Sequence, residues 1–467
     1  MSASAFDVVV VGAGTAGCVM AGRLSEDGDR TVLLLEAGPD YAAAEIPPAL
    51  LDSTHGISLA DHDWNLPGTT CGRRVELPRG RVVGGSSAVN ATFALRGSPL
   101  DYDGWGVPGW SWADLLPDFI RFERDLDFGG EPFHGNDGPV PVRRYLGDER
   151  SPFTLAVTEA LLASGVPEIA DHNAPYAVGV SALPVNTFQG RRMSMALTHL
   201  EPARPRPNLT VRGEAEVATV DVRGGRATGV RLVNGDTVSA GEVVVCCGTY
   251  QTPGLLRRSG IEPAGLGENL SDHAVVSIDL PYIGAVGAPC FQVVATLHSS
   301  YADPTDDAPD LQILVGGPWP GDDGPTCFVG AALLTPRSRG RVGDDGLVDL
   351  NYFAEHEDLA RLLEGLARAE EVVAHPAVRA VTDGRRLGPP PSTQADTEDW
   401  VRAVAWSYHH PVGTAALGSV VDAECRVDGV DGLRVVDASV LPAVPSANTN
   451  LPTIAVAEHV ARHGWGR

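Results

Sequence analysis

"FDVVVVGAGTAGCVMAGRLSEDGDRTVLLLEAG", residues 6 to 38, runs an apolar stretch into a glycine turn, a helical stretch and a second apolar stretch that ends in an acid. Strand, turn, helix and strand in that order predict the opening unit of a dinucleotide-binding α/β fold with a parallel sheet. Gly12, Gly14 and Gly17 give Gly-x-Gly-x-x-Gly, with Thr15 and Ala16 inside the same turn. The first glycine permits the tight turn, the second lets a pyrophosphate approach the backbone, and the third lets helix and strand pack closely. Glu36, followed by Ala37, stands where its carboxylate can accept from both hydroxyls of an adenosine ribose.

The remainder of the chain bounds what such a unit can serve. A chain of 467 residues can build two or three folding units, and 43% apolar against 20% charged residues reads as globular. A net charge of −25 excludes a nucleic-acid partner, which needs a dense basic surface. All 35 basic residues are arginine, so Schiff-base and P-loop lysines are excluded too. The seven cysteines form no Cys-x-x-Cys pair and no His-Glu-x-x-His occurs, so no metal site is expected. An odd cysteine count and a first apolar run broken at Gly12 lead to the expectation of a cytoplasmic protein with no transmembrane segment.

Three later stretches extend the first. "RGRVVGGSSAVNATFALRG", 79 to 97, is a second glycine-serine turn rich in N–H and hydroxyl donors, suited to a diphosphate or to a flavin's polar edge. The region 206 to 261 reads as a three-stranded antiparallel excursion followed by a return strand, "GEVVVCCGT", in which Cys246 and Cys247 are packing residues. Such an excursion typifies flavoprotein domains more than nicotinamide dehydrogenases. Near the carboxyl end, "VVDASVLPAVPSANTNLPTIAVAEHVARHGW" gives a short strand closed by Asp437 and a helix from about Pro452. Its free N–H groups and positive dipole end suit the pyrimidine edge of a flavin.

"SYHHPVGTAALG", 407 to 418, sets His409 beside His410. On an extended segment neighbouring side chains diverge, so only one is expected in a shared pocket. Taken with "RGRVVGGSSAVN", "PGWSWADLLPDF", "HGNDGPVPV", "GENLSDH", "HPVGT" and "NTNLPTIAVAE", the chain resembles the glucose-methanol-choline oxidoreductases over nearly its whole length. That resemblance implies noncovalent FAD, because Val89 stands where members with covalent FAD carry histidine. It carries the cofactor contacts to Arg81, Val83, Gly84, Gly85, Ser86, Asn90, Val217, Asp437, Ala438, Asn448, Thr449 and Thr453, besides the first turn. It also assigns the catalytic pair to His410 and Asn450, with His409 expected to turn away from the flavin.

The implied activity is oxidation of a primary or secondary alcohol, or a sugar hydroxyl, to a carbonyl. A neutral imidazole with a pKa near about 6.5 takes the hydroxyl proton. Asn450 orients and stabilises the oxygen, and flavin N5 accepts the hydride. The electron acceptor, oxygen or another, stays open. So do a mycofactocin-associated dehydrogenase, a lyase that keeps its flavin uncycled, a flavin-binding scaffold without turnover, and the oligomeric state. A discontinuous FAD unit is expected over 1–145, 195–275 and 405–467, and a substrate unit on a mixed or antiparallel sheet over 146–194 and 276–404. The proline-rich stretch 387–396 reads as a surface loop.

Overall fold

Val8 to Val11 and Val32 to Leu35 carry no polar side chain, which suits strands covered on both faces. In the computed structural model, which describes residues 5–59, 61–387 and 393–465, they do lie at the centre of a sheet. Strand β1 (Ala5–Val11) pairs in parallel with β2 (Val32–Leu35), and helix α1 (Thr15–Leu24) crosses between them. Leu209–Arg212 extends the parallel set beyond β2, and Thr237–Val245 extends it on the other side of β1. The short strand Leu433–Val435 then pairs with Val243–Val245.

The antiparallel excursion is present, but its third strand and the return strand are one element. Thr237–Ser239 pairs antiparallel with Gly229–Arg231, and the same strand runs on beside β1 as far as Val245. Gly241 allows this double use, since a Cβ there would sit 2.9 Å from the carbonyl oxygen of Asp7.

A second, six-stranded sheet is antiparallel throughout. Its order is Trp406–Ser407, Ala274–Pro281, Thr326–Leu333, Leu311–Trp319, Val293–Leu297 and Gly179–Ala182. Helix His356–Ala374 covers one face, burying Leu359, Leu362, Leu366 and Ala369 against Ile278, Ile313 and Val329. The chain passes between the two sheets four times, so the units interleave. Trp406–Ser407 hydrogen-bonds to the start of Ala274–Pro281, which hangs the two-histidine loop at the seam between the sheets. Of the stretch 387–396, positions 388–392 lie outside the described residues, and 394–396, expected in a surface loop, instead begin a helix that runs from Gln394 to Val404. No described helix is long and apolar enough to cross a membrane.

Candidate active site

The carboxyl ends of the parallel strands open onto a cavity of about 330 Å³, the place where open α/β sheets bind ligands. Val11 ends β1 and Gly12 follows it, Glu36 and Ala37 follow β2, and Cys246 to Gly248 follow the long return strand. At this end the backbone is shaped by what glycine alone permits. Gly12 has φ +94°, and a Cβ on Gly17 would fall 1.8 Å from the Gly12 oxygen. A Cβ on Gly14 would meet nothing within 4 Å, so this backbone faces open space. The second glycine turn closes on the first: Gly84 donates to the Ala13 oxygen at 2.7 Å, and Gly85 packs against the Cα of Gly14.

Glu36 is buried and accepts from the N–H groups of Ala13 and Gly38, each at 2.9 Å. Burial outweighs those bonds and pushes its carboxyl up to about 7. Each oxygen still has a lone pair for a ribose hydroxyl. Asp437 accepts from Gly248 N–H and Thr252 Oγ1, which fixes the turn after the return strand. Ala16, Ser86, Asn90, Val217, Ala438, Thr449 and Thr453 line the cavity with them. At the first turn of the carboxyl-terminal helix (Asn450–His463), Asn450 accepts from Thr15 Oγ1 at 3.0 Å and leaves Nδ2 without a partner among the described residues. Two helix amino-termini, two glycine turns, a buried acid and an unspent amide donor fit a dinucleotide diphosphate.

Four expected contacts stand behind this wall instead of in it. Gly17 and Gly84 shape the turns, and Val83 donates its N–H to the Pro39 oxygen at 3.0 Å. Arg81 lays its guanidinium over Trp64 at 5.0 Å and pairs with Glu216.

The opposite end is built around Asp272. This buried carboxylate accepts from Ser407 Oγ, from Tyr352 Oη at 2.8 Å and from the His410 N–H at 2.8 Å. Ser407 Oγ in turn accepts from the His409 N–H at 2.9 Å. Holding Ser407 and His410 on one carboxylate forces the chain to turn at His409, whose φ is +68°. A non-glycine residue there costs on the order of 1–2 kcal/mol, and the turn has a consequence. Strand alternation fails, and His409 and His410 line the same cavity. The expectation that only one would do so is thereby corrected. Gly413, at φ +95°, passes so close to Asn269 that a Cβ would sit 2.4 Å from its carbonyl oxygen.

His410 Nε2 lies 3.0 Å from the Asn448 amide nitrogen. The neighbour of His410 is thus Asn448, in place of the expected Asn450. The reason is local: Asn448 precedes the helix and points across the cavity, whereas Asn450 is already in its first turn and bonds Thr15. Burial, together with the adjoining His273, His409 and Arg79, holds the His410 imidazole well below the usual histidine range. It is therefore neutral, and more strongly displaced than the unperturbed value near about 6.5 would suggest. Facing it are Phe93, Phe291, Leu314, Phe328, Trp406 and Tyr408. Phe93 meets Phe291 edge-on at 5.0 Å, and Trp319 stacks behind Phe328 at 5.6 Å.

The chain matches the GMC oxidoreductase family model over residues 6–275 and its carboxyl-terminal counterpart over 336–457. It belongs to the GMC oxidoreductases. Among relatives of this GMC oxidoreductase, 5-(hydroxymethyl)furfural oxidase of Methylovorus sp. (strain MP688) is 35% identical, with 99% of each chain covered. Oxygen-dependent choline dehydrogenase of Paraburkholderia phymatum is 33% identical over 100% of this chain and 94% of its own. Among solved structures, pyridoxine 4-oxidase from Mesorbium loti superposes with a TM-score of 0.89 at 29% identity, covering 99% of this chain and 100% of its own.

Sequence reading passed over Asp272 and His273 in "GENLSDH", the aromatic wall, and Arg79, whose guanidinium lies 4.9 Å over the Tyr250 ring. The signal for the first pair was present, since a charged Asp-His step directly before an apolar strand begs for buried partners. The aromatic residues are scattered from 93 to 408 and only the second sheet gathers them. Outside this cavity, Glu123, Asp125 and His134 have ligand atoms close enough to hold a metal. Their charges are already met, because Arg96 pairs with Glu123, and Arg144 with Asp125 and Asp171.

Proposed function

We propose that this GMC oxidoreductase oxidises an alcohol to a carbonyl with noncovalently bound FAD and passes the electrons to oxygen. The observation that carries the reading is His410 Nε2 beside the Asn448 amide, at the meeting point of a dinucleotide-shaped groove and an aromatic chamber. Bound FAD supplies the hydride acceptor. The chain's own part is to place the alcohol oxygen between His410 Nε2 and the Asn448 Nδ2–H. His410, neutral because it is buried, takes the hydroxyl proton, and Asn448 donates to the oxygen as negative charge gathers on it. The aromatic walls exclude water, so that donation acts in a low dielectric.

FAD would be held by the two glycine turns, Glu36, Asn450 and the carboxyl-terminal helix. Val89, buried in the cavity wall, offers no nucleophile for a covalent link. Acid precipitation is expected to leave the flavin in the supernatant; yellow colour in the pellet would overturn the noncovalent assignment. The acids that line the cavity, Glu36, Glu216 and Asp437, follow strands of the dinucleotide sheet or belong to it, whereas the chamber facing His410 is aromatic and aliphatic. That supports an alcohol carried on a flat, apolar body, in keeping with the furfural and pyridoxine named for two relatives. Benzyl-type alcohols are expected to bleach the flavin under anaerobic conditions, with kcat/KM at least ~10-fold above those of choline and glucose, and air should restore the colour. A substrate that turns over without bleaching would point to a lyase, and bleaching that air does not reverse would point to another electron acceptor.

A further inference from the structure

Behind His410 stands a second imidazole. His273 is fully buried, and its Nδ1 lies 3.0 Å from the Nδ1 of His410, with the two rings nearly perpendicular at 86°. Two imidazole nitrogens at that distance share one proton, so one ring donates and the other accepts. The other side of His410 decides which. Tyr408 spends its hydroxyl proton on Gln312 Oε1 at 2.7 Å, so its oxygen presents lone pairs to the Asn448 amide beside it. The amide group facing Tyr408 and His410 is therefore the nitrogen end, and Asn448 Nδ2–H donates to His410 Nε2 at 3.0 Å. A nitrogen that accepts carries no proton, so the proton of neutral His410 is on Nδ1, and His273 Nδ1 must accept it. The proton of His273 then sits on Nε2, a buried nitrogen without a hydrogen-bond partner among the described residues, with the carbonyls of Leu334 and Pro445 near the ring.

We propose that His273 is a positioning residue that fixes the tautomer of His410, keeping Nε2 bare and aimed at the substrate hydroxyl. It rests on the reading of His410 as the base. Without an acceptor at its Nδ1, a neutral imidazole is free to carry its proton on Nε2, where it repels the incoming hydroxyl proton and clashes with the Asn448 donor. During turnover the hydroxyl proton goes to His410 Nε2, the Nδ1–H bond to His273 stays intact, and His273 itself gains no proton.

The test uses the FAD-loaded enzyme. His273→Leu, which removes the acceptor while keeping bulk, is expected to lower kcat/KM at least ~30-fold, and a solvent deuterium isotope effect on flavin reduction should appear or grow as proton removal becomes limiting. His273→Asn, whose amide oxygen can stand near the lost Nδ1, should recover the rate to within ~5-fold of wild type. A leucine variant within ~3-fold of wild type, or an asparagine variant as damaged as the leucine one, would overturn the proposal. Should the leucine variant fail to fold, neutron diffraction on the wild-type protein decides: a deuteron on His410 Nδ1 and none on Nε2 is expected, and the reverse refutes it. If His410→Ala proves fully active, it is the underlying assignment of the base that fails.

Discussion

Two adjacent histidines and two nearby asparagines show how far single residues could be read. The resemblance of "HPVGT" to the family's motif singled out His410, but the expectation for its neighbour failed, because period-two alternation assumes an extended chain. The Asp272 carboxylate bends that chain at His409. Asn-Thr-Asn was misread for a related reason, since the helix begins between the two asparagines and sends their side chains to different partners. The two variants should separate accordingly. Asn448→Ala is expected to cost at least ~10-fold in kcat/KM with FAD retained, whereas Asn450→Ala should mainly weaken FAD retention, read as flavin lost on gel filtration. Because burial above all, and beside it His273, His409 and the Arg79 guanidinium, lower the His410 pKa, the base form persists into acid. The plateau of kcat/KM should therefore extend below about pH 6.5, and an acid limb centred near the unperturbed histidine value would contradict this.

At the scale of elements, the first strand, turn, helix and second strand were legible because each glycine in the turn answers a separate steric demand. Those demands predict unlike outcomes for like substitutions. Gly17→Ala drives a methyl into the Gly12 carbonyl, so the protein should lose thermal stability even without cofactor. Gly14→Ala meets open space and should leave the melting temperature of the FAD-free protein within ~2 °C of wild type while weakening FAD binding. Equal melting curves for the two would argue against the packing role of Gly17. The excursion's strands were legible from alternation and turn residues, but that one strand both closes the excursion and joins the parallel set was not. Register past Gly241 is set by β1, some 230 residues earlier in the chain.

Across the whole molecule, interleaving and the aromatic chamber depend on contacts between distant segments, and local patterning carries no trace of them. The same holds for the buried charge network behind "HGNDGPVPV". His134 bonds Glu123 at 2.7 Å and Asp171 at 2.9 Å, and Arg144 joins Asp125 to Asp171. Burial alone would lower the His134 pKa, but the bonds to Asp171 and Glu123 outweigh it and push it up to about 9. The stabilisation is present in full below the unfolded value near about 6.5 and is lost as pH rises through about 9. Asp171, held down to about 2 by His134 and Arg144 against its own burial, keeps its share above about pH 4. Thermal stability should therefore fall between pH 7 and 9.5, and His134→Gln should lower the plateau and flatten that fall. An unchanged slope in the variant would remove His134 from the account.

The central claim, that His410 takes the proton of an alcohol, is tested most directly by mixing FAD-loaded wild type and His410→Ala anaerobically with a benzyl-type alcohol and following flavin bleaching. The variant is predicted to hold FAD and to bleach at least ~10²-fold more slowly at saturating substrate. Bleaching of the variant at the wild-type rate would contradict the claim.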